Sequence, residues 1–307
     1  MTRFRAERSA VVAGQFYPGR RESLVAAVTK AAQAPTKVPP GRVRAMIVPH
    51  AGYQYSGAAA GEAYALLAAR RGIKRVLVIA PSHHLSFQTV SVGCFSSFDT
   101  PLGKMSVDVK ACERLLESGP LFSCRADAHE REHALEVQLP FLQTLLPDAE
   151  LVPAVCGQLG ASDIAAAGRI LHEQLWREDT LWVISSDFTH YGDYFNYVPF
   201  KGNVDARLED LDRGAIRTIQ ATDPDAFLDY VQQTGATICG AVPIGVLLAA
   251  ARQVDPLPTW ELITYITSGR LTHDRTHSVS YASIVGLDEG SGDDLGTVAK
   301  ADYLTAA

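Results

Sequence analysis

Short apolar segments alternate with helix-like segments along the chain, and this alternation is the sequence feature that most restricts the fold. Apolar runs typical of buried strands lie at residues 43–48, 75–80, 151–156 and 180–185. The segments between and after them, at 57–70, 108–118, 134–146 and 162–176, have the length and pattern of helices. Such alternation predicts an α/β fold with a mainly parallel central sheet flanked by helices.

The remaining sequence extends this pattern and ends in a polar tail. We predict helices at 205–220, 223–233 and from Pro243 onwards, followed by strands at 260–267 and 278–285. No linker-like stretch interrupts residues 1–287, so we predict a single domain there. The stretch at 288–294 is rich in Asp and Gly, which predicts a flexible C-terminal tail over residues 288–307.

Charge and cysteine content exclude several functional classes. With 28 basic and 34 acidic residues the net charge is −6, which disfavours binding to nucleic acid. The apolar stretch 245–251 is too short to span a bilayer, so we predict no membrane segment. The five cysteines form no CxxC pair, so neither a disulfide framework nor a zinc knuckle is indicated, and we expect a cytoplasmic protein.

Histidines follow three of the predicted strands at equivalent positions. His50 lies in the turn after 43–48, His83 and His84 in the turn after 75–80, and His190 in the turn after 180–185. The carboxyl ends of parallel neighbouring strands border one crevice, where ligands bind. A single loop histidine is more often only solvated, but three such turns favour a functional site, and neutral imidazoles suit a metal ion.

Cys239 is the candidate sulfur ligand. It precedes the helix predicted near Pro243, and the positive end of a helix dipole stabilises a thiolate. The alternative is a small buried apolar cysteine, and position alone does not separate the two. We interpret Cys94, Cys112, Cys124 and Cys156 as packing residues.

The segment 127–136 is dense in ionisable groups. His129 and His133 match the HExxH pattern of zincins, but the predicted helix begins near His133, so the continuous helix that a zincin requires is not expected. We instead expect Glu132, His133 and Glu136 to surround a metal site, together with His84. Since His133 and Glu136 lie about one helical turn apart, we predict that Glu136 orients an imidazole.

Several of these motifs together resemble the Memo family. They are AGQFY (13–17), PHAGYQYSG (49–57), PSHH (81–84), EHALE (132–136), SSDFTHYG (185–192), TICG (237–240), PIGVLL (243–248) and SVSYA (278–282). They follow one another in order over about residues 10–287. Bacterial and archaeal members are named protein B of the AmmeMemoRadiSam system, which associates them by name with an Ammecr-type protein and a radical-SAM protein.

The resemblance implies a fold like that of the class III extradiol dioxygenases of the LigB type. It also implies that His50, His83 and Cys239 bind a metal ion, because these residues occupy the family's metal-binding positions. His190 corresponds to the acid/base histidine of the dioxygenases, and Asp187 would help to position it. A cysteine takes the place of the carboxylate ligand of those enzymes. The metals that we expect are iron or copper, with zinc as a third candidate. Because of this change of ligand, ring-cleaving activity does not follow from the similarity of fold.

Three functions therefore remain open. The first is a redox-type metalloprotein or oxidoreductase of unknown substrate. The second is an adaptor whose crevice binds a peptide, a small molecule or a partner such as the Ammecr-type or radical-SAM protein. Aromatic residues near the turns would line that crevice: Phe16, Tyr17, Tyr53, Tyr55 and Tyr191. In the third, Cys239 is a nucleophile activated by His50 or His190.

Overall fold

A computed structural model describes residues 4–33, 35–68 and 72–288 of the chain. The helices are α1 (Arg21–Ala31), α2 (Ala58–Ala65), α3 (Val109–Glu117), α4 (Ala126–Glu130), α5 (His133–Glu136), α6 (Leu139–Leu145), α7 (Ala161–Leu175), α8 (Val204–Gln220), α9 (Pro224–Thr234), α10 (Ala241–Ala251) and α11 (Ser268–Thr272). The strands are β1 (Arg42–Val48), β2 (Arg75–Pro81), β3 (Val90–Val92), β4 (Ser97–Thr100), β5 (Gly103–Ser106), β6 (Phe122–Ser123), β7 (Glu150–Cys156), β8 (Thr180–Ser185), β9 (His190–Gly192), β10 (Thr259–Thr267) and β11 (His277–Asp288).

A central mixed sheet organises the fold. Its strand order is β10-β11-β1-β8-β2-β7-β3-β6, with β9 added to β11, while β4 and β5 form a separate hairpin. The four strands β1, β8, β2 and β7 are parallel. Antiparallel pairs join β10 to β11, β11 to β1 and β3 to β7, and the edge strand β6 is parallel to β3. The predicted α/β class with a central sheet flanked by helices is confirmed, with a parallel centre and antiparallel pairs towards both edges.

The parallel centre forms the core of the molecule. β8 is buried along its whole length, and β1, β2 and β7 are buried beyond their first residue. This explains their near-continuous apolar sequences, because strands covered on both faces show no polar alternation. Helix α10 packs on β2 and β8, α7 packs on α10, and α2 packs against β1, β10 and β11.

The register of the central strands places the site. Ile184 of β8 pairs with Ile47 of β1 and with Ile79 of β2, so the three strands end at nearly the same level. The turns that follow them therefore emerge side by side at one edge of the sheet.

Two predicted helices differ in detail from the structure. A single π-helical turn, Tyr53–Gly57, precedes α2, and residues 69 and 70 of the predicted helix lie outside the described residues. The predicted helix 134–146 is divided into α5 and α6. Pro140 lies in the first turn of α6, where its missing N–H costs no helical hydrogen bond.

Strand β11 ends the described part of the chain. Asp288 is the last residue of β11, and the rest of the predicted tail, 289–307, lies outside the described residues. Across the described ranges, no helix combines the length and the apolar character needed to cross a bilayer.

Candidate metal centre

His50 lies buried in the turn after β1, with Nδ1 beside Ser185 and Nε2 beside Cys239. Its backbone N–H donates to Asp187 Oδ1 at 2.8 Å, and its Nδ1 lies 2.9 Å from Ser185 Oγ. The Ser185 hydroxyl donates to the carbonyl of Ala134 at 2.6 Å. Because a hydroxyl has a single proton to donate, Ser185 accepts from His50, so Nδ1 carries the proton and Nε2 keeps its lone pair.

His83 lies in the turn after β2, where the Glu132 carboxylate binds both its backbone N–H and its Nδ1. Glu132 accepts from the His83 backbone N–H at 2.7 Å through Oε2 and contacts His83 Nδ1 at 2.9 Å through Oε1. An ionised carboxylate only accepts, so Nδ1 carries the proton and Nε2 is free. Burial opposes ionisation of Glu132, but the hydrogen bonds that its carboxylate accepts from His83 and from the Ala134 N–H outweigh burial and hold the pKa of Glu132 at about 2.

Cys239 approaches His50 from the other side. Its Sγ lies 3.3 Å from His50 Nε2 and accepts from the Asp187 N–H at 3.3 Å. The next residue, Gly240, is packed so tightly that a Cβ there would lie 2.3 Å from Ser186 Cβ. Burial, with the nearby Asp187 carboxylate, raises the pKa of the Cys239 thiol well above its usual value.

The predicted convergence of the three segments is present in the structure. The ligand atoms of His50, His83 and Cys239 all lie within 4.8 Å of one another, and the two imidazole rings are 5.1 Å apart. One nitrogen from each imidazole and one sulfur form a donor set suited to a single transition-metal ion. Metal binding at this group remains a prediction.

A second group of candidate ligands shares His83. Ligand atoms of His83, Glu132 and His133 also lie within 4.8 Å of one another. Here, however, the Glu132 carboxylate already accepts from two backbone N–H groups and from His83 Nδ1. We interpret this group as the hydrogen-bonded support of His83, because a metal ion would have to displace those donors.

His133 packs between the proposed ligands and the N-terminal segment. Its ring lies 4.7 Å from that of His83 and 4.8 Å from that of Phe16. Burial and the neighbouring His50 lower the pKa of His133 to about 4, so it is neutral at neutral pH. His84 is exposed, with its ring 6.3 Å from that of His133, at the rim of the group.

His190 and Asp187 both border the centre, but the predicted link between them needs correction. Asp187 Oδ1 bonds the His50 N–H, whereas the hydrogen bonds that orient His190 come from Thr237. The His190 N–H donates to Thr237 Oγ1 at 2.8 Å, and Nδ1 donates to the Thr237 carbonyl at 2.9 Å. The acid/base role of His190 remains a prediction. Burial raises the pKa of Asp187.

The predicted role of Glu136 is wrong. Its fully buried carboxylate forms an ion pair with Arg8 and accepts from the N–H groups of Val11 and Val12 and from the Tyr17 hydroxyl. It therefore anchors the N-terminal segment instead of orienting an imidazole. A buried carboxylate needs a charged partner, but sequence spacing could not show that this partner is Arg8, 128 residues away.

The rejection of a zincin is confirmed. His129 and His133 lie in separate helices, α4 and α5. His129 is buried away from the ligand group, with Nε2 3.1 Å from Ser91 Oγ and its ring beside Phe95 and Phe98.

One cavity, of about 150 Å³, adjoins the centre and is lined by Cys239 together with Ser82, Cys156 and Val242. Another, of about 680 Å³, is bordered by Phe16, Tyr17 and Tyr53 and by none of the three proposed ligands. Its link to the centre is Phe16, whose ring packs on His133. Of the other aromatic residues predicted to line a crevice, Tyr55 is exposed, whereas Tyr191 is buried and stacks on Phe200.

Comparison with known proteins supports the resemblance that the motifs indicate. Residues 8–285 match the family described as Memo-like protein. Protein MEMO1 of Xenopus laevis is 32% identical over 287 residues, covering 90% of this chain and 96% of that protein. A MEMO1 family protein of Pyrococcus furiosus is 32% identical, with 91% and 98% covered.

A solved structure supports the fold alone. An uncharacterized protein of Escherichia coli K12 superposes with a TM-score of 0.52 at 15% identity, covering 80% of this chain and 99% of that one.

The family match spans nearly the whole described chain, and both of these relatives are 32% identical over at least 90% of this chain. This chain therefore belongs to the Memo family.

Proposed function

We propose that this protein binds a transition-metal ion through Nε2 of His50, Nε2 of His83 and Sγ of Cys239, and acts as a redox-type metalloprotein or oxidoreductase. The observation that carries the proposal is the approach of these three ligand atoms to within 4.8 Å of one another. The fixed protonation of both Nδ1 atoms supports it, because each imidazole presents its lone pair towards the group.

The donor set favours iron or copper, with zinc as the third candidate. A thiolate is a softer ligand than a carboxylate and is common in copper and zinc sites, while imidazole suits all three metals. Of these, iron and copper have accessible redox chemistry. A bound redox metal would supply electron transfer, while His190 would hold or accept a proton at the edge of the crevice.

The second candidate function is an adaptor that uses the same crevice. The cavity of about 680 Å³ beside Phe16 is large enough for a peptide side chain or a small molecule. Tyr194, which is 80% exposed, extends the aromatic surface next to Phe195 and His190. The Ammecr-type and radical-SAM proteins are the partners that we propose for this role.

The nucleophile hypothesis is the least supported. Burial raises the pKa of the Cys239 thiol, so the metal-free protein holds little thiolate at neutral pH, and the thiolate is the reactive form. No disulfide joins the cysteines within the described residues, which fits our proposal that the protein works in the reducing cytoplasm.

Elemental analysis of protein purified without oxygen tests the proposed function. We expect a stoichiometric amount of iron or copper in the wild type, and its loss in both His50→Ala and Cys239→Ser. Cys112→Ser is the matched control, since Cys112 is a buried thiol in α3. Metal at background level in the wild type, or retained in both ligand variants, would refute the proposal.

The adaptor function is tested by capture of a purified radical-SAM or Ammecr-type partner. Capture that survives both His50→Ala and Cys239→Ser would favour the adaptor over the metalloprotein. Capture that is lost with the metal would indicate that binding depends on the assembled centre.

A further inference from the structure

The N-terminal segment, defined here as residues 4–17, is packed against the loop that supports His83. Arg5 forms a parallel bridge with Phe95, and Arg8 forms another with Phe98. Arg8 is only 2% exposed, and its guanidinium lies 5.7 Å from the centre of the Phe98 ring. A buried arginine is costly unless all of its charge and its donors are satisfied.

The side-chain hydrogen bonds of Arg8 go to residues in the range 129–136. Its Nε donates to the His129 carbonyl at 3.0 Å, and one terminal nitrogen donates to the Glu132 carbonyl at 2.6 Å. The other terminal nitrogen forms the ion pair with Glu136. The planar fork of the guanidinium thus fixes the backbone on both sides of the turn between α4 and α5.

The same turn presents the carboxylate that holds His83. The backbone carbonyl of Glu132 accepts from Arg8, while its side chain accepts from the His83 N–H and contacts His83 Nδ1. A shift of this backbone would move the carboxylate and, with it, the imidazole of His83, which is grouped with His50 and Cys239.

We propose that Arg8 is a positioning residue of the metal centre, acting through Glu132 on His83. The inference rests on the proposed metal binding for its purpose, but the positioning itself can be tested without a metal. Glu136 holds Arg8 in this position. Its carboxylate neutralises the Arg8 charge and accepts hydrogen bonds from the N–H groups of Val11 and Val12 and from the Tyr17 hydroxyl. The same segment carries Phe16, which packs on His133.

Two variants separate positioning from general stability. Arg8→Lys keeps a charge for Glu136 but cannot reach both backbone carbonyls in the geometry of the guanidinium fork. The double variant Arg8→Met with Glu136→Gln removes both buried charges, so that neither is left unpaired. Arg44→Met is the matched control, because Arg44 is also buried but lies in the first half of β1, far from His83. It pairs with Asp288 at the end of β11.

The first readout is amide hydrogen exchange of the metal-free protein. The His83 N–H donates to Glu132, so we expect it to exchange at least about tenfold faster in both Arg8 variants. The His50 N–H, which donates to Asp187, should keep its protection. Unchanged His83 protection in whichever Arg8 variant folds would overturn the proposal.

The second readout is titration with Co²⁺, whose thiolate absorption reports binding at Cys239. We expect the Arg8 variants to bind Co²⁺ about 10–100-fold more weakly, the usual cost of losing support behind a ligand, while Arg44→Met binds like the wild type. Wild-type affinity in the Arg8 variants would contradict the inference. A wild type that binds no Co²⁺ would defeat the proposed function, while the exchange experiment would still decide the role of Arg8.

Discussion

At the scale of single residues, the proposed ligands differ in protonation before any metal binds. Burial lowers the pKa of His50 well below its ordinary value, so this imidazole is already neutral at neutral pH. Burial instead raises the pKa of Cys239, so its sulfur carries a proton. Metal binding must therefore expel the thiol proton, whereas His50 has none to lose.

Metal affinity is consequently expected to rise with pH. With one proton released, the apparent association constant for Zn²⁺ increases about tenfold per pH unit below the thiol pKa. Competition titrations between pH 6.5 and 8.5 measure this slope, and Cys239→Ser should flatten it. An affinity independent of pH in the wild type would show that the thiolate is not a ligand.

At the scale of elements, the turn between Thr237 and α10 fixes the sulfur. Gly240 follows Cys239 and its N–H donates to Ser186 Oγ at 3.0 Å. A Cβ on Gly240 would lie 2.4 Å from that same oxygen. The turn after β8 and the turn before α10 therefore could not both keep their positions. The glycine therefore lets the turns after β8 and before α10 meet.

Gly240→Ala is expected to destabilise the fold and weaken the centre together. Forcing a methyl group into this contact costs about 1–3 kcal/mol and displaces Cys239 from His50, so metal content should fall as well. Gly160→Ala is the control, because a Cβ there has no neighbour within 4 Å. Denaturant unfolding and metal analysis measure both effects, and full metal content in Gly240→Ala would contradict this role of the turn.

The elements also show what could be predicted from sequence. The parallel strands were predictable because burial on both faces leaves long apolar runs, and the positions of His50, His83 and Cys239 followed from strand ends and from the family motifs. The short strands β3, β6 and β9 carry too few residues for a pattern. The roles of Glu132 and Glu136 could not be separated, because only packing shows which carboxylate reaches His83 and which reaches Arg8.

At the scale of the whole molecule, buried histidines link stability to pH. Burial, with the nearby Arg8 charge, lowers the pKa of His129 to about 4 from its ordinary 6.5. Between these values the unfolded chain binds a proton that the folded chain does not. The free energy of unfolding therefore decreases as pH falls from about 6.5 to about 4, by up to roughly 3 kcal/mol from this residue.

His129→Gln is expected to make the stability of the metal-free protein less dependent on pH in this window, even if it lowers stability at pH 7. Urea unfolding at intervals from pH 7 to pH 4 measures the slope. His273→Asn, a change at an exposed position with positive φ that Asn tolerates, should retain the wild-type slope. An unchanged slope in His129→Gln would show that His129 titrates normally in the folded protein.

The most direct test of the central claim is anomalous diffraction from crystals of the metal-loaded protein, recorded at the absorption edge of the bound metal. The account predicts a single strong peak about 2.0–2.3 Å from Nε2 of His50, Nε2 of His83 and Sγ of Cys239. A peak between Glu132 and His133, with Cys239 uncoordinated, would contradict it, as would the absence of any peak at the three ligands in protein shown to contain the metal.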